Sequence, residues 1–129
     1  MILLDVKDRR PIYEQIVEKL SQLMASGVLA QDTPLPSVRS LATELSINPN
    51  TVQRAYIELE RQGYIYSIKG KGSFVSDISN IRDKQHEKLF GELAEIALNA
   101  KSAGVTREDF VEKAASLYDS AEIRKGIGK

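Results

Sequence analysis

The sequence predicts a mainly α chain that carries one small β-hairpin. Two observations carry this. Apolar residues recur at spacings of three and four in five separate stretches. Only across Tyr64–Val75 does the pattern turn to short runs of aromatic and β-branched residues around glycines.

The first helical stretch begins at Pro11, whose missing N–H is harmless at the first helical position. Ile12, Ile16, Leu20 and Leu23 then fall on one face, and Gly27 supplies a left-handed stop. The apolar start Met1–Leu4 is expected to form a short strand or to pack down. Residues Ala30–Pro36 read as a loop broken by Pro34 and Pro36. Ser37 is placed to cap a short second helix with Val38, Leu41, Ala42 and Leu45 buried. After the turn Ser46–Asn48, Asn48 as cap and Pro49 behind it open a third helix over 48–62. Val52, Ala55, Tyr56 and Leu59 form its buried stripe, and Gly63 ends it.

Two short strands follow, Tyr64–Ile68 and Ser73–Val75, around Lys69-Gly70-Lys71-Gly72. Beyond Asp77 the helical period returns. Leu89, Phe90, Leu93, Ile96, Ala97 and Ala100 share a face on a long helix closed by Gly104. Thr106–Asp109 resembles a capping box with Asp in place of Glu. The last helix sets Phe110, Val111, Ala114, Leu117 and Tyr118 as its apolar positions, and Gly126–Lys129 is expected to fray. This gives two segments, 1–76 and 77–129.

Composition narrows the chemistry. The 129 residues include no Cys and a single His, His86, expected on a helix surface. Thiolate zinc sites, disulfides, Cys nucleophiles and His-cluster metal sites are thereby excluded. No apolar run reaches the length of a membrane span, and no secretory or transit segment opens the chain, so a cytoplasmic protein is expected. No spacing assembles nucleophile, base and oxyanion donor, and no Gly-rich phosphate loop joins a strand to a helix, so an enzyme is not expected. Nothing points to a cofactor, a metal or a small-molecule effector. The 18 basic and 18 acidic residues cancel, yet residues 61–76 hold Arg61, Lys69 and Lys71 with no acid. Local potential, not net charge, is what a polyanion meets.

Three helices with a tight turn between the second and third, then a hairpin, is the layout of a winged helix-turn-helix. The major groove of DNA admits a helix, whose N-terminal residues meet base edges. Here those residues are Asn48, Asn50 and Thr51, with Gln53 and Arg54 one turn on. Asn and Gln suit adenine, Arg suits guanine and the Thr methyl suits thymine. The hairpin tip, 69–72, offers Lys69 and Lys71 on a thin glycine backbone for a minor groove. Simpler roles stand beside these: Asn48 and Thr51 as caps, Gly70 and Gly72 as turn formers, Arg39 as a partner of Glu44. Tyr56, Tyr64 and Tyr66 read as packing residues.

Four runs together resemble the GntR family of bacterial transcription regulators. They are Pro11–Ile16, Leu35-Pro36-Ser37-Val38-Arg39, Asn48–Tyr56 and Gly70–Val75. Gln53-Arg54-Ala55-Tyr56 and the short helical tail resemble the YtrA subfamily in particular. The resemblance implies DNA contacts from Ser37 and Arg39, from Asn48, Asn50 and Thr51, and from Gly70 and Lys71. The sequence departs from the family pattern at Asp32, where Gly is usual, at Pro34, and at Gln53, where larger-tailed relatives often carry Arg. The resemblance further implies a homodimeric repressor of a palindromic operator, acting on a nearby operon that often encodes an ATP-driven transporter. Leu89, Phe90, Leu93, Ile96, Phe110, Leu117 and Tyr118 are the expected dimer interface, because the tail holds the only other sizeable apolar surface. The competing reading is a winged-helix protein–protein adaptor without specific DNA binding.

Overall fold

A computed structural model describes Leu4 and residues 7–122. The expected strand or packed segment Met1–Leu4, apart from Leu4, and the expected frayed end Gly126–Lys129 lie outside the described residues. The chain forms two compact units, one ending at Ser79 and one spanning Asn80–Glu122.

The first unit holds α1 (Ile12–Ala25), α2 (Val38–Leu45), α3 (Pro49–Arg61), β1 (Ile65–Ile68) and β2 (Gly72–Val75). Helix α3 is the hub: it packs against α1, α2 and β1. Ile16, Leu20, Leu23 and Met24 of α1, Leu41 of α2 and Val52, Ala55 and Leu59 of α3 are buried, with α3 packed against both other helices. Gln15 is also fully buried, and its Nε2 donates to the Arg10 carbonyl at 3.1 Å. That bond removes the penalty of a buried amide donor. Pro11 stands one residue outside the helix it was expected to begin. Its ψ of 147° is extended, and its carbonyl accepts from the amides of Glu14 and Gln15. A fixed proline φ fits either position, so the sequence signal does not separate them.

The hairpin pairs Ile65 with Val75, Tyr66 with Phe74 and Ser67 with Ser73. Tyr66 stacks on Phe74 with ring centroids 5.6 Å apart. The segment expected as a plain loop lies along the outer side of β2. Asp32 and Leu35 donate to the carbonyls of Val75 and Ser73, and Val75 donates back to Thr33. Pro34 and Pro36 are tolerated there because the segment is an edge, where a missing donor breaks no ladder. Gly27 and Gly63 both adopt positive φ, as their stop roles require.

The second unit carries most of α4 (Ser79–Ser102) and all of α5 (Arg107–Ser120). Asp77 accepts from the amide and hydroxyl of Ser79 at the start of α4. Gly104, with φ of 86°, ends the turn after α4. The Thr106 hydroxyl accepts from the Asp109 amide at 3.1 Å, the capping half of the expected box. No residue of α4 or α5 is buried, and Ala97 and Ala100 of α4 and Phe110 of α5, which line one depression, are half-buried.

Candidate nucleic-acid interface

The turn between α2 and α3 is tight because Ser46 takes a left-handed conformation, with φ of 58° and ψ of 44°. The amides of Ser46 and Ile47 reach back to carbonyls of α2. On the other side Asn48 caps α3: its Oδ1 accepts from the Asn50 amide at 2.8 Å. The Tyr56 hydroxyl, on the buried side of α3, donates to the Pro36 carbonyl at 2.7 Å. These contacts fix the start of α3 relative to α2 and to the edge segment.

With Val52, Ala55, Tyr56 and Leu59 turned inward, the helical period turns Asn50, Gln53, Arg54 and Ile57 outward. All four are exposed, and Thr51 is half-buried. Ile57 was not among the expected site residues, yet it is 58% exposed in the middle of this polar face. An apolar residue off the buried stripe was the signal available for it.

The cations of this unit differ in their freedom. Arg61, near the end of α3, is held by Glu58, whose carboxylate also accepts from Gln62. Those bonds hold the Glu58 carboxyl at about 2, well below the usual carboxylate range. The Arg54 guanidinium lies 3.9 Å from the centre of the Tyr13 ring on α1. Arg39 is exposed on the first turn of α2 and makes no ion pair among the described residues, so the alternative pairing with Glu44 is not formed. Ser37, by contrast, has a committed hydroxyl. It accepts from the Ser40 amide at 3.0 Å and bonds the Ser40 hydroxyl at 2.9 Å.

At the hairpin tip the Lys71 amide donates to the Ile68 carbonyl at 2.9 Å. Gly70 and Gly72 have φ of 81° and 113°, so both satisfy the turn's demand for glycine. A Cβ at either would meet nothing within 4 Å, so space is open beside both glycines. Lys69 and Lys71 are both exposed beside it. The Ser67 hydroxyl donates to Glu60 at 3.0 Å and so ties β1 to α3. Tyr56 and Tyr64 are buried and Tyr66 is stacked, consistent with packing roles. No group of His, Asp and Glu that would hold a metal ion occurs among the described residues. No helix among them is long and apolar enough to cross a membrane.

Comparison with known proteins identifies the family and the fold. The profile of the bacterial regulatory proteins of the gntR family matches residues 12–75. The chain is 35% identical to the HTH-type transcriptional repressor YtrA of Bacillus subtilis over 128 residues, covering 98% of this chain and 97% of YtrA. The chain belongs to the GntR family. It is a DNA-binding transcription regulator with a winged helix-turn-helix. A solved transcriptional regulator from Oenococcus oeni matches this GntR chain with a TM-score of 0.67 at 32% identity, covering 89% of this chain and 97% of that one. The DNA-binding domain of AraR, solved in complex with its operator ORE1, matches with a TM-score of 0.51 at 28% identity, covering 59% of this chain and 93% of that one.

Proposed function

We propose that this GntR chain is a homodimeric repressor that reads a palindromic operator. Helix α3 enters the major groove, and the wing at 69–72 reaches an adjacent minor groove. The observation that carries this reading is the outward face of α3. Asn50, Thr51 and Gln53 stand at or near its start with donors and acceptors suited to base edges, and among the described residues none of these side chains is buried or held in a hydrogen bond. Arg39 and the two wing lysines flank that face as free cations suited to phosphates and grooves. YtrA, the full-length relative, is a repressor, and the AraR domain was solved on an operator; both support the reading.

Two-fold symmetry follows from the economy of the site. One recognition helix reads one half-site, so a palindrome requires two chains related by a two-fold axis. The second unit supplies the surface for it. Leu89, Phe90, Leu93 and Ile96 on α4 and Leu117 and Tyr118 on α5 are exposed apolar side chains, and Phe110 is half-buried.

Selection from a randomised duplex pool tests the function. The full chain is expected to enrich an inverted repeat, and footprinting is expected to protect both halves at once. Enrichment of no sequence over the starting pool overturns the reading in favour of a docking module.

A further inference from the structure

We infer that Tyr13 of α1 positions Arg54 of α3 as a clamp for a DNA backbone phosphate, and that Arg54 does not read a base. The inference rests on the reading of α3 as the helix that meets DNA, and it assigns a role to a residue outside that helix.

Successive residues of a helix are turned by about 100°. Gln53 and Arg54 therefore leave α3 on different sides of its outward face, with Asn50 and Ile57 between them. Arg54 leans toward α1, because its guanidinium rests on the Tyr13 ring at 3.9 Å. A guanidinium lying on an aromatic face has its own face covered and its N–H edge free. The nearby carboxylate does not take that edge. Glu58 is close enough for the Arg54 charge to act on it, but its oxygens accept from Arg61 and Gln62. No carboxylate pairs with Arg54 among the described residues.

Arg54, Tyr13, Pro11, Ile12, Asn50 and Thr51 together line an open depression between the start of α1 and the start of α3. Its lining includes the Arg54 cation, the Asn50 amide and the Thr51 hydroxyl and no acidic side chain, while the Tyr13 hydroxyl is turned to the Glu14 carboxylate at 3.4 Å. Such a set fits a phosphodiester. A guanidinium takes two phosphate oxygens in parallel, and a ring that fixes its plane removes part of the ordering cost. A base edge at the floor of a major groove would require the side chain to swing off the ring.

The two roles differ in measurable ways. A phosphate contact acts on every sequence and releases counterions, while a base contact acts at one position. The test uses two fluorescent duplexes, one of random sequence and one enriched by the wild-type chain. Arg54→Ala is expected to weaken both by roughly tenfold. It should also lower the slope of log K against log salt by about one, leaving the enriched sequence unchanged. Tyr13→Leu is expected to weaken both duplexes about two- to fivefold, and Tyr13→Phe, which keeps the ring, to bind as wild type.

The inference is overturned if Arg54→Ala leaves the salt slope on the random duplex unaltered, or relaxes preference at one base pair. It is also overturned if Tyr13→Leu binds as wild type, or if Tyr13→Phe is as weak as Tyr13→Leu. A wild-type chain that enriches no sequence defeats the operator reading instead, and the random duplex still decides the role of Arg54.

Discussion

The Tyr56 hydroxyl donates to the carbonyl of Pro36, 20 residues earlier, and so pins α3 to the edge segment that precedes α2. Tyr56 is 6% exposed, so the bond is shielded, and burial pushes its phenol far above the ordinary range. The hydroxyl is therefore protonated, and a donor, at neutral pH. Tyr56→Phe keeps the ring and removes one hydrogen bond. The expected cost is about 0.5–1.5 kcal/mol. For a unit of this size that lowers Tm by roughly 4–8 °C per kcal/mol. Thermal unfolding followed by circular dichroism measures it, and an unchanged Tm would mean that the bond contributes nothing.

Asp32 holds a left-handed backbone, with φ of 68°. Its amide donates to Val75, and its carboxylate accepts from the Tyr66 hydroxyl at 2.7 Å. The same bond raises the Tyr66 phenol above its ordinary value. Asp tolerates this conformation better than most residues, but at a cost. Asp32→Ala keeps the strain and loses the side-chain bond, so it should destabilise by about 1–2 kcal/mol. Asp32→Gly loses the bond and removes the strain, and it should fall between wild type and Asp32→Ala. Urea midpoints rank the three chains. Equal midpoints for Ala and wild type would show the bond to be idle.

Much of the fold was legible because its signals are local. Asn48-Pro49 marked the start of α3, Gly63 its end and the glycines at 70 and 72 the hairpin tip. The edge pairing of residues 32–35 was not legible, because two prolines in a short run read as a loop when the partner strand lies 40 residues away. The outward face of α3 was visible as the complement of its apolar stripe. What the stripe does not reveal is which cations are already used. Arg61 and Arg54 look alike in sequence, yet one is held by Glu58 and the other lies on Tyr13. Those partners come from side-chain packing, and for Arg54 the partner is on another helix.

Acid should release Arg61 without unfolding the chain. The Glu58 carboxyl is held at about 2 by Arg61 first and Gln62 second. A depressed carboxylate lends stability above its unfolded value, and that contribution fades as pH falls through the folded value. The window here runs from the ordinary Glu value of 4.5 down to about 2. Carbon-13 titration of the Glu58 carboxyl should give a midpoint near the lower end. A midpoint at the unperturbed value would mean that the pair does not persist in solution.

The wing should add affinity through charge more than through shape. Lys69 and Lys71 are exposed beside an open tip, and neither is needed for the turn, whose geometry rests on Gly70 and Gly72. Exchanging both lysines for Glu reverses the local sign while leaving the fold unaltered. Binding should weaken, and each lost phosphate contact lowers the salt slope by about one. Fluorescence anisotropy across a salt series reads both quantities. Affinity and slope equal to wild type would leave the wing as a structural element alone.

The second unit should fold and function only as a pair. Helix α4 presents Leu89 at 59%, Phe90 at 67% and Ile96 at 56% exposure, and α5 presents Leu117 at 58% and Tyr118 at 83%. Neither helix buries a residue in the single chain. Helical propensity alone stabilises such segments poorly in water, and tertiary packing supplies most helix stability in proteins. A second copy bringing the same faces together would bury them and satisfy a two-fold arrangement. It would also join two half-site readers, raising overall affinity by about 10²–10⁴ without a new DNA contact. Sedimentation of the full chain at micromolar concentration is expected to give a dimer. Charge placed on the face, as in Leu93→Glu with Ile96→Glu, is expected to give a monomer that still unfolds cooperatively through its first unit. That variant should bind a full palindrome no more tightly than a half-site. A wild-type monomer that binds the palindrome tightly would defeat the dimer and leave the exposed faces of α4 and α5 to another partner.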